Sequence, residues 1–339
     1  MIVSSDILEI GNFAKKNKIY VALGYFDGVH LGHQALMAQC LQLARENQGE
    51  PCVLLLEPHP LQVLEGMEAL KNLNSLTERI SLIHRQGPFN IFVLPFTREF
   101  AALSPEEFVK QYLLELLQAK GVVTGFNYTF GSKGAGHCAD LQAYGEKYGF
   151  MVRQVPPVLL KNEIVSSTMI RKLIEEGRME KAAQYLGHPH VYLGKVVDGN
   201  HLGSLLGFPT ANVDIDPQLL WPAYGVYGGW IMDEEGRLHK AVINVGIRPT
   251  IRQNNKRPSF EAHLLNFAGD LYDKRLQIIL TDRLRPEQTF DDLTALKHQV
   301  ARDKENALEY LNRIAKQAET LGDPLEKCFF ACNRSGYPI

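Results

Sequence analysis

Residues 20–43 read YVALGYFDGVHLGHQALMAQCLQL, and this stretch indicates how the first half of the chain folds. A short apolar segment leads into a turn rich in glycine and histidine, and a helical pattern follows over His33–Glu46. In that helix Leu36, Cys40 and Leu43 recur at the spacing of one helix face. The turn therefore lies where a strand ends and a helix begins, which is where open α/β sheets bind their ligands.

The same alternation of strand and helix continues through the first half. The predicted strands are Tyr20–Gly24, Cys52–Leu56, Ile91–Leu94, Val122–Gly125 and Met151–Val155. The further helical patterns are Leu76–Gln86, Pro105–Ala119 and Asp140–Tyr148. Strands separated by helices in this way predict a parallel sheet that is covered on both faces.

The alternation of predicted strands and helices ends near residue 187. Strand patterns separated by Gly, Pro and Asn follow, and one long helical pattern remains over Phe290–Gln317. The predicted strands are Val191–Val197, Gly225–Met232, His239–Val245, Ser259–Asn266 and Arg275–Leu280. This pattern predicts a small antiparallel β-barrel closed by a C-terminal helix. We expect one domain at residues 1–186 and a second at 187–339.

Composition argues against several classes of protein. The 339 residues carry 36 Lys and Arg against 38 Asp and Glu, so the formal net charge of -2 indicates no nucleic-acid partner. No apolar run reaches the roughly 18 residues that span a bilayer, and the first residues lack a signal-peptide pattern. Five scattered cysteines do not form a disulfide framework. We therefore expect a reduced, cytoplasmic protein with no membrane partner.

The turn at Gly24–His33 is the first candidate site, and its residues suit a nucleotide. The start of a helix offers free N–H groups and the positive end of the helix dipole to a phosphate. Gly32 would let a phosphate approach the backbone closely. His30 and His33 would donate hydrogen bonds to phosphoryl oxygens in a transition state. The alternative is an ordinary strand–turn–helix connection whose histidines only cap and pack.

Three later segments follow strands that end at the same edge of the predicted sheet. They are EPHP at 57–60, GFNYTFG at 125–131 and SSTMIR at 166–171. Ser167 or Thr168 is expected to cap a helix, and Arg171 would reach the same anion as a bidentate donor. A Ser-Thr cap beside a surface arginine is the ordinary alternative. The glycine-rich run at 131–136 lacks the spacing of a phosphate-binding loop, and we expect it to be a flap beside the site.

The second half contains a second candidate site. Thr210 and Asn212 stand two positions apart, so in an extended segment both oxygens would reach one Mg²⁺ or one phosphate. Glu261 and His263 alternate in a predicted strand and are expected at the barrel interior or rim. A carboxylate there would take a proton from an attacking hydroxyl. The alternatives are a simple turn around Thr210 and a solvated strand residue at Glu261.

These motifs occur together and in order, and they resemble a known family. GYFDGVHLGH, EPHP, GFNYTFG and SSTMIR are similar to the adenylyltransferase half of bacterial bifunctional riboflavin kinase/FAD synthetases. LGFPTAN, NVGIRPT and FEAHLLNF resemble the riboflavin kinase domain of the same family. The resemblance implies a Rossmann-like nucleotidylyltransferase domain followed by a small β-barrel kinase domain. It also implies that riboflavin is phosphorylated to FMN with ATP, and that FMN is then adenylylated to FAD with release of pyrophosphate.

The resemblance further implies which residues form the two sites. The implied ATP-binding residues of the adenylyltransferase are Gly24, Phe26, Asp27, Gly28, His30, His33, Ser167, Thr168 and Arg171, with His30, His33 and Arg171 catalytic. The implied Mg-ATP residues of the kinase are Gly207, Pro209, Thr210 and Asn212, with Thr210 and Asn212 on the metal. Glu261 would be the general base, and Asn127 and Arg285 would contact flavin. Mg²⁺ would be the cofactor, with riboflavin, FMN, FAD and ATP as the bound molecules.

The chain departs from the family pattern at a few positions. Asn127-Tyr128 replaces the usual Asp-Phe, Ser204 replaces Arg, and Asn266 and Asp273 stand where Asp and Gly are usual. Two alternatives remain open. A single-activity nucleotidylyltransferase with an accessory β domain would not consume riboflavin, and a regulatory protein with decayed sites would bind flavin without turnover. The sequence does not give the oligomeric state.

Overall fold

The structure is a computed structural model that describes residues 1–198, 208–248 and 257–320. Contacts divide the chain into two compact units, Met1–Ser167 and Thr168–Ile339. Residues 168–186 belong to the second unit because they bond to its barrel; for example, the Arg283 N–H donates to the Gly177 carbonyl at 3.1 Å. The expected boundary between residues 186 and 187 stays a prediction.

A six-stranded parallel sheet forms the centre of the first unit. Its strands are β1 (Val3–Ser4), β2 (Ile19–Leu23), β3 (Glu50–Glu57), β4 (Asn90–Pro95), β5 (Gly121–Gly125) and β6 (Met151–Val155). Their order is β1-β4-β3-β2-β5-β6, and Val21 of β2 pairs with Cys52 on one side and Val122 on the other. The chain reverses its direction of travel across the sheet between β2 and β5. Ligands of open α/β sheets bind at such a switch point.

Seven helices connect these strands within the described part of the first unit. They are α1 (Ile7–Ala14), α2 (Leu31–Glu46), α3 (Pro60–Glu65), α4 (Leu76–Gln86), α5 (Arg98–Ala102), α6 (Pro105–Phe108) and α7 (Cys138–Tyr148). Helix α6 continues as a π-helical segment over Val109–Leu116. Capping boxes begin several of them, including α4, where the Ser75 hydroxyl accepts the Glu78 N–H, and α6, where the Ser104 hydroxyl accepts the Glu107 N–H. A short hairpin of β7 (Leu159–Leu160) and β8 (Glu163–Ile164) completes the unit.

Both faces of the sheet are buried, which confirms the expected fold. On one face Val21 and Leu23 pack in a cluster with α1, the π-helical segment and α7. On the other face Tyr20 and Ala22 pack with α2 and α4. Successive strand residues point to opposite faces, so a strand covered on both sides reads as a continuous apolar run.

The second unit contains a closed antiparallel barrel. It opens with α8 (Ser167–Glu175), whose first residue closes the first unit, and α9 (Met179–Leu186). The barrel strands are β9 (Val191–Val197), β10 (Ala211–Ile215), β11 (Gly225–Met232), β12 (Leu238–Arg248), β13 (Arg257–Leu264) and β14 (Arg275–Pro286). They close in the order β10-β13-β12-β11-β14-β9. The C-terminal helix α10 (Leu293–Thr320) packs Leu311 against Trp230 and Ile279.

Several boundaries differ from expectation, and two of these differences have a clear local reason. Helix α2 begins at Leu31, before the predicted His33, because His30 itself caps it. Strand β14 continues past Leu280 because its pairing with β11 extends to Pro286 through an irregular register.

Asp273, where the family usually has glycine, adopts a left-handed φ of +62° that glycine adopts without strain. No helix in the described ranges combines the length and apolar character needed to cross a membrane.

Candidate active sites

His30 and His33 form a stacked pair at the start of α2. Their ring centroids are 3.7 Å apart and their planes differ by 16°. The Nδ1 atom of His30 accepts the backbone N–H of His33 at 3.3 Å, which makes His30 the N-cap of the helix. Because Nδ1 is the acceptor, the proton of neutral His30 lies on Nε2. That ring therefore presents a donor at the helix N-terminus, where phosphate also binds well.

The turn before the helix adopts unusual backbone angles. Phe26 has a left-handed φ of +57° and Gly28 a φ of +80°. The fully buried Phe26 ring holds this conformation and packs 5.1 Å from the ring of His33, measured between centroids. The expected approach of a phosphate to Gly32 stays a prediction, and the structure gives this glycine a role in packing. A Cβ there would lie 3.0 Å from the His30 ring, so glycine leaves room for the histidine pair.

Asp27 anchors this turn to a neighbouring loop. Its buried carboxylate accepts the N–H groups of Leu73 and Asn74 at 3.0 to 3.2 Å. The Asp27 carbonyl in turn accepts the Ser167 hydroxyl at 3.0 Å. The structure therefore gives Asp27 and Ser167 positions beside the histidine turn, while their ATP-binding roles stay predictions. Gly24 follows β2 directly, and a Cβ there would lie 3.2 Å from the Phe26 ring.

The sequence analysis missed a cluster around Arg79 at the ends of β2 and β3, in which an ion pair contacts aromatic rings. The fully buried Arg79 side chain pairs with the Glu57 carboxylate at 3.1 Å and lies 4.3 Å from the Tyr25 ring centroid. Tyr25 also packs edge-on against the His59 ring at 4.1 Å. Burial raises the pKa of the Tyr25 phenol, so it stays protonated. The available signal was the position of Arg79 on an apolar helix face, one turn before the buried Leu82.

Asn127 lies beyond β5 and is exposed. Since β5 neighbours β2 in the sheet, Asn127 and the histidine turn share one edge. The glycine-rich run behind it is tied down where the Phe130 and Gly136 backbones bond to each other at 2.9 to 3.0 Å. Flavin binding by Asn127 and ligand contact by this run stay predictions.

Thr168 and Arg171 lie on α8, whose first residue is Ser167, so the residue before the helix is Ser166 and not the expected cap residue Ser167 or Thr168. Thr168 is exposed and Arg171 is half-buried. Both residues belong to the second unit, and their phosphate-binding roles stay predictions.

The second site lies on the outer face of the barrel. Glu261 of β13 pairs directly with Asn212 of β10 on one side and with Asn244 of β12 on the other. All three are partly exposed, whereas their strand neighbours Phe260 and Ala262 are buried. Of the two expected positions for Glu261, the barrel interior is therefore wrong, and the barrel rim stays a prediction. The interior is filled with apolar side chains, and the polar row faces outward.

Glu287 joins this polar row although the sequence analysis did not select it as a site residue. Partial burial raises the pKa of its carboxyl; the negative charge of Glu261 adds to this, and a hydrogen bond from Asn244 opposes it. A Cβ at residue 246 would fall 1.8 Å from a Glu287 carboxylate oxygen. Gly246 therefore leaves the space that Glu287 fills beside Asn244.

Arg285 is held by the C-terminal helix. Its guanidinium binds both oxygens of the buried Asp303 carboxylate, at 2.9 Å from Nε and 2.7 Å from Nη2. Gln299 donates to the same carboxylate at 2.9 Å. Such bidentate pairs fix geometry strongly, so Arg285 links β14 to α10 beside the polar row. Its contact with flavin stays a prediction.

The segment before β10 carries the remaining predicted residues. Gly207 lies outside the described residues, Pro209 is exposed and Thr210 is half-buried. The Pro209 carbonyl accepts a hydrogen bond from His263 Nδ1 at 2.8 Å. Across residues 1–198, 208–248 and 257–320, no three His, Cys, Asp or Glu side chains group into a metal site. The oxygens of Thr210, Asn212 and Glu261 are nevertheless the hard donors that Mg²⁺ prefers, so this set fits the ion together with phosphate oxygens.

Comparison with known proteins gives one consistent result for both halves. The family model described as FAD synthetase matches residues 12–169, and the one described as riboflavin kinase matches residues 186–311. The bifunctional riboflavin kinase/FMN adenylyltransferase of Buchnera aphidicola is 34% identical over 295 residues, covering 87% of this chain and 94% of that protein. The protein of the same name from Listeria monocytogenes is 34% identical over 299 residues, covering 88% and 94%. The riboflavin kinase match argues against a merely accessory β domain.

One solved structure has the same fold over nearly its whole length. It comes from Streptococcus pneumoniae, is named a macrolide-efflux protein, and matches with a TM-score of 0.80 at 31% identity. The match covers 90% of this chain and 97% of that one. Its name indicates a different activity from the names of the sequence relatives, so we take only the architecture from it.

Proposed function

This chain belongs to the family of bifunctional riboflavin kinases/FMN adenylyltransferases, and we propose how its residues divide between the two reactions. The chain phosphorylates riboflavin to FMN with ATP and adenylylates FMN to FAD with ATP. The observation that carries the proposed division is that the histidine pair and the proposed kinase base lie in different units. His30 and His33 lie in the first unit, and Asn212 and Glu261 lie in the second.

In the first unit the reaction is a direct displacement at phosphorus. A phosphate oxygen of FMN attacks the α-phosphorus of ATP, and the bond to pyrophosphate breaks. No covalent enzyme intermediate is needed, so catalysis consists of positioning and charge stabilisation. His30 donates from Nε2 to phosphoryl oxygens, and the stacked His33 shares the developing charge. Their place at the N-terminus of α2 supports these roles.

The remaining residues of this site bind the substrates. Arg171 neutralises phosphate charge as a bidentate donor. At the start of α8 the Thr168 hydroxyl and the Ser167 N–H bind phosphate, because the Ser167 hydroxyl donates to the Asp27 carbonyl. Asn127 contacts the flavin from the end of β5. Its position beside β2 at the same sheet edge supports that role.

In the second unit Glu261 acts as the general base. Its carboxylate takes the proton of the 5′-hydroxyl of riboflavin while the oxygen attacks the γ-phosphorus of ATP, and ADP leaves. Thr210 and Asn212 would hold Mg²⁺ together with the phosphates. When bound, this ion neutralises charge on the transferring group. The register of Asn212 opposite Glu261 supports placing metal and base side by side.

We also propose that the chain works in the cytoplasm. Cys40, Cys52 and Cys138 are free and buried, which suits a reducing compartment. Burial raises the pKa of the Cys40 thiol to about 12, so it stays protonated and unreactive.

A chromatographic time course tests the proposed function. The purified full chain is incubated with riboflavin, ATP and Mg²⁺, and we expect FMN to appear first and FAD second. A parallel reaction starts from FMN, which bypasses the kinase. Absence of FMN in the first reaction would refute the kinase assignment, and absence of FAD in the second would refute the adenylyltransferase assignment.

A further inference from the structure

We propose that His263 is a positioning residue of the kinase site: its Nδ1–H holds the Pro209 carbonyl and thereby fixes Thr210 toward the Mg-ATP phosphates. This inference rests on the proposed function of the barrel domain and adds a residue to it. His263 itself need not touch the substrate.

His263 lies on the same face of the barrel as the general base. Glu261 and His263 are two positions apart on β13, and the buried Ala262 between them points to the opposite face. The Nδ1 atom of His263 is 2.8 Å from the Pro209 carbonyl oxygen. The Phe208 ring packs edge-on against the imidazole, with centroids 5.7 Å apart. One strand therefore presents both the base and a contact to the metal-binding segment.

This hydrogen bond completes the restraint on the residue before Thr210. The pyrrolidine ring of Pro209 already restricts its φ angle to about -65°. The bond to His263 fixes the direction of the carbonyl, which restricts ψ as well. On the other side of Thr210 the chain enters β10, where Asn212 pairs with Val197 and Glu261. Thr210 is thus held from both sides.

The hydrogen bond also determines the tautomer of His263. A carbonyl oxygen only accepts, so Nδ1 must carry the proton. The Nε2 atom is buried, and within the described residues nothing hydrogen-bonds to it. The proposed positioning of Thr210 therefore depends on the donor at Nδ1. An asparagine amide places a donor near the position of Nδ1, whereas a glutamine amide places one near Nε2.

Three substitutions separate the two ring positions. His263→Asn retains the donor, whereas His263→Gln and His263→Ala remove it. We expect the KM for ATP in FMN formation to rise about three- to tenfold in the Gln and Ala variants, the range for loss of one hydrogen bond. The Asn variant should stay within about twofold of the natural chain. Conversion of supplied FMN to FAD should be unchanged in all three variants.

His239 provides a matched control in the same barrel. Its Nε2, not its Nδ1, binds the buried Asp233 carboxylate at 2.8 Å, in the β11–β12 hairpin. His239→Asn and His239→Gln should leave the KM for ATP in FMN formation unchanged. These two variants show how much the KM for ATP changes when loss of a barrel histidine alters only the stability of the barrel.

The outcomes are distinct. A natural chain that forms no FMN would remove the proposed kinase function and this inference with it. An active natural chain with equal KM values in the Asn, Gln and Ala variants would overturn the inference alone. Equal losses in the Asn and Gln variants would do the same, since they indicate packing. If the variants do not fold, a ¹⁵N–¹H correlation spectrum of the natural chain decides: a proton on His263 Nδ1 supports the inference, and a proton only on Nε2 overturns it.

Discussion

Replacing Glu261 by glutamine removes the proposed base while changing little else. Glutamine has nearly the same shape, and residue 261 is only partly buried on the outer face of the barrel. The paired Asn212 and Asn244 offer amides that bond to glutamine as well as to glutamate. The change also removes a negative charge beside Glu287. We therefore expect the free energy of unfolding to change by no more than about 0.5 kcal/mol, as for other surface substitutions.

The kinase rate should respond far more strongly. A positioned general base contributes about 10²- to 10⁴-fold to such reactions, which corresponds to about 3–5 kcal/mol of activation free energy. The KM for ATP should stay nearly constant, because Thr210 and Asn212 still bind the phosphates. Loss confined to kcat is the result expected when only the transition state is affected.

Both activities are measured on the same purified variant. FMN formation from riboflavin is followed by chromatography, and FAD formation from supplied FMN serves as the internal control. FMN formation within threefold of the natural rate would refute the assignment of Glu261 as the base. If a folded variant lost both activities together, the division of the two reactions between the units would be wrong.

Three further changes test other parts of the structure. His30→Asn keeps a capping acceptor for the His33 N–H, so α2 should stay intact. FAD formation should nevertheless fall about 10²- to 10³-fold while FMN accumulates, and unchanged FAD formation would remove His30 from the site. Leu311→Ala leaves a cavity at a fully buried position between α10 and the barrel. Calorimetry should show that the barrel unit is about 2–5 kcal/mol less stable, and an unchanged thermal unfolding transition would contradict this packing. Glu106→Gln tests a surface cluster in which hydrogen bonds from Tyr148 and two lysines lower the pKa of Glu106 from 4.5 to about 2. Because the pKa of Glu106 is lowered in the folded state, the cluster stabilises the fold fully above pH 4.5 and loses this effect as the pH falls toward 2. The difference in Tm between the natural chain and the Gln variant should therefore narrow over that range. A difference in Tm that does not change with pH would contradict this explanation.

The sequence predicted the bounds of a strand or helix correctly where glycines, helix caps or turn residues interrupt the apolar pattern. Met151–Val155, Leu76–Gln86 and Gly225–Met232 begin and end where predicted, because glycines, caps or turns bound them. The two-residue β1 has no pattern to detect, and α9 is too short for a clear periodicity. Alternation along β13 indicated that Glu261 and Phe260 face opposite sides. It did not indicate which side is the interior, because that depends on the neighbouring strands.

The sequence also predicted part of each candidate site, but not all of its residues. The spacing of His30 and His33 and their place after a strand were sufficient to propose a phosphate site. The position of Arg79 on an apolar helix face was a signal in the sequence, but its partners were not predictable, because Tyr25 and Glu57 reach it from distant parts of the chain. The place of Glu287 beside Asn244 depends on a missing side chain at Gly246, which only the packed structure reveals.

Closure of the barrel bears on whether other chains can add to the strands of this protein. All six barrel strands have a neighbour on both sides, so the described barrel offers no row of unpaired backbone groups along an edge. The parallel sheet does have two edges, but β1 contains only two residues. On the other edge, β6 carries the charged Arg153, which pairs with Glu46 at 3.2 Å. Short or charged edges discourage the addition of strands from another chain. The barrel and the parallel sheet, as far as the structure describes them, thus carry features that disfavour amyloid-like growth.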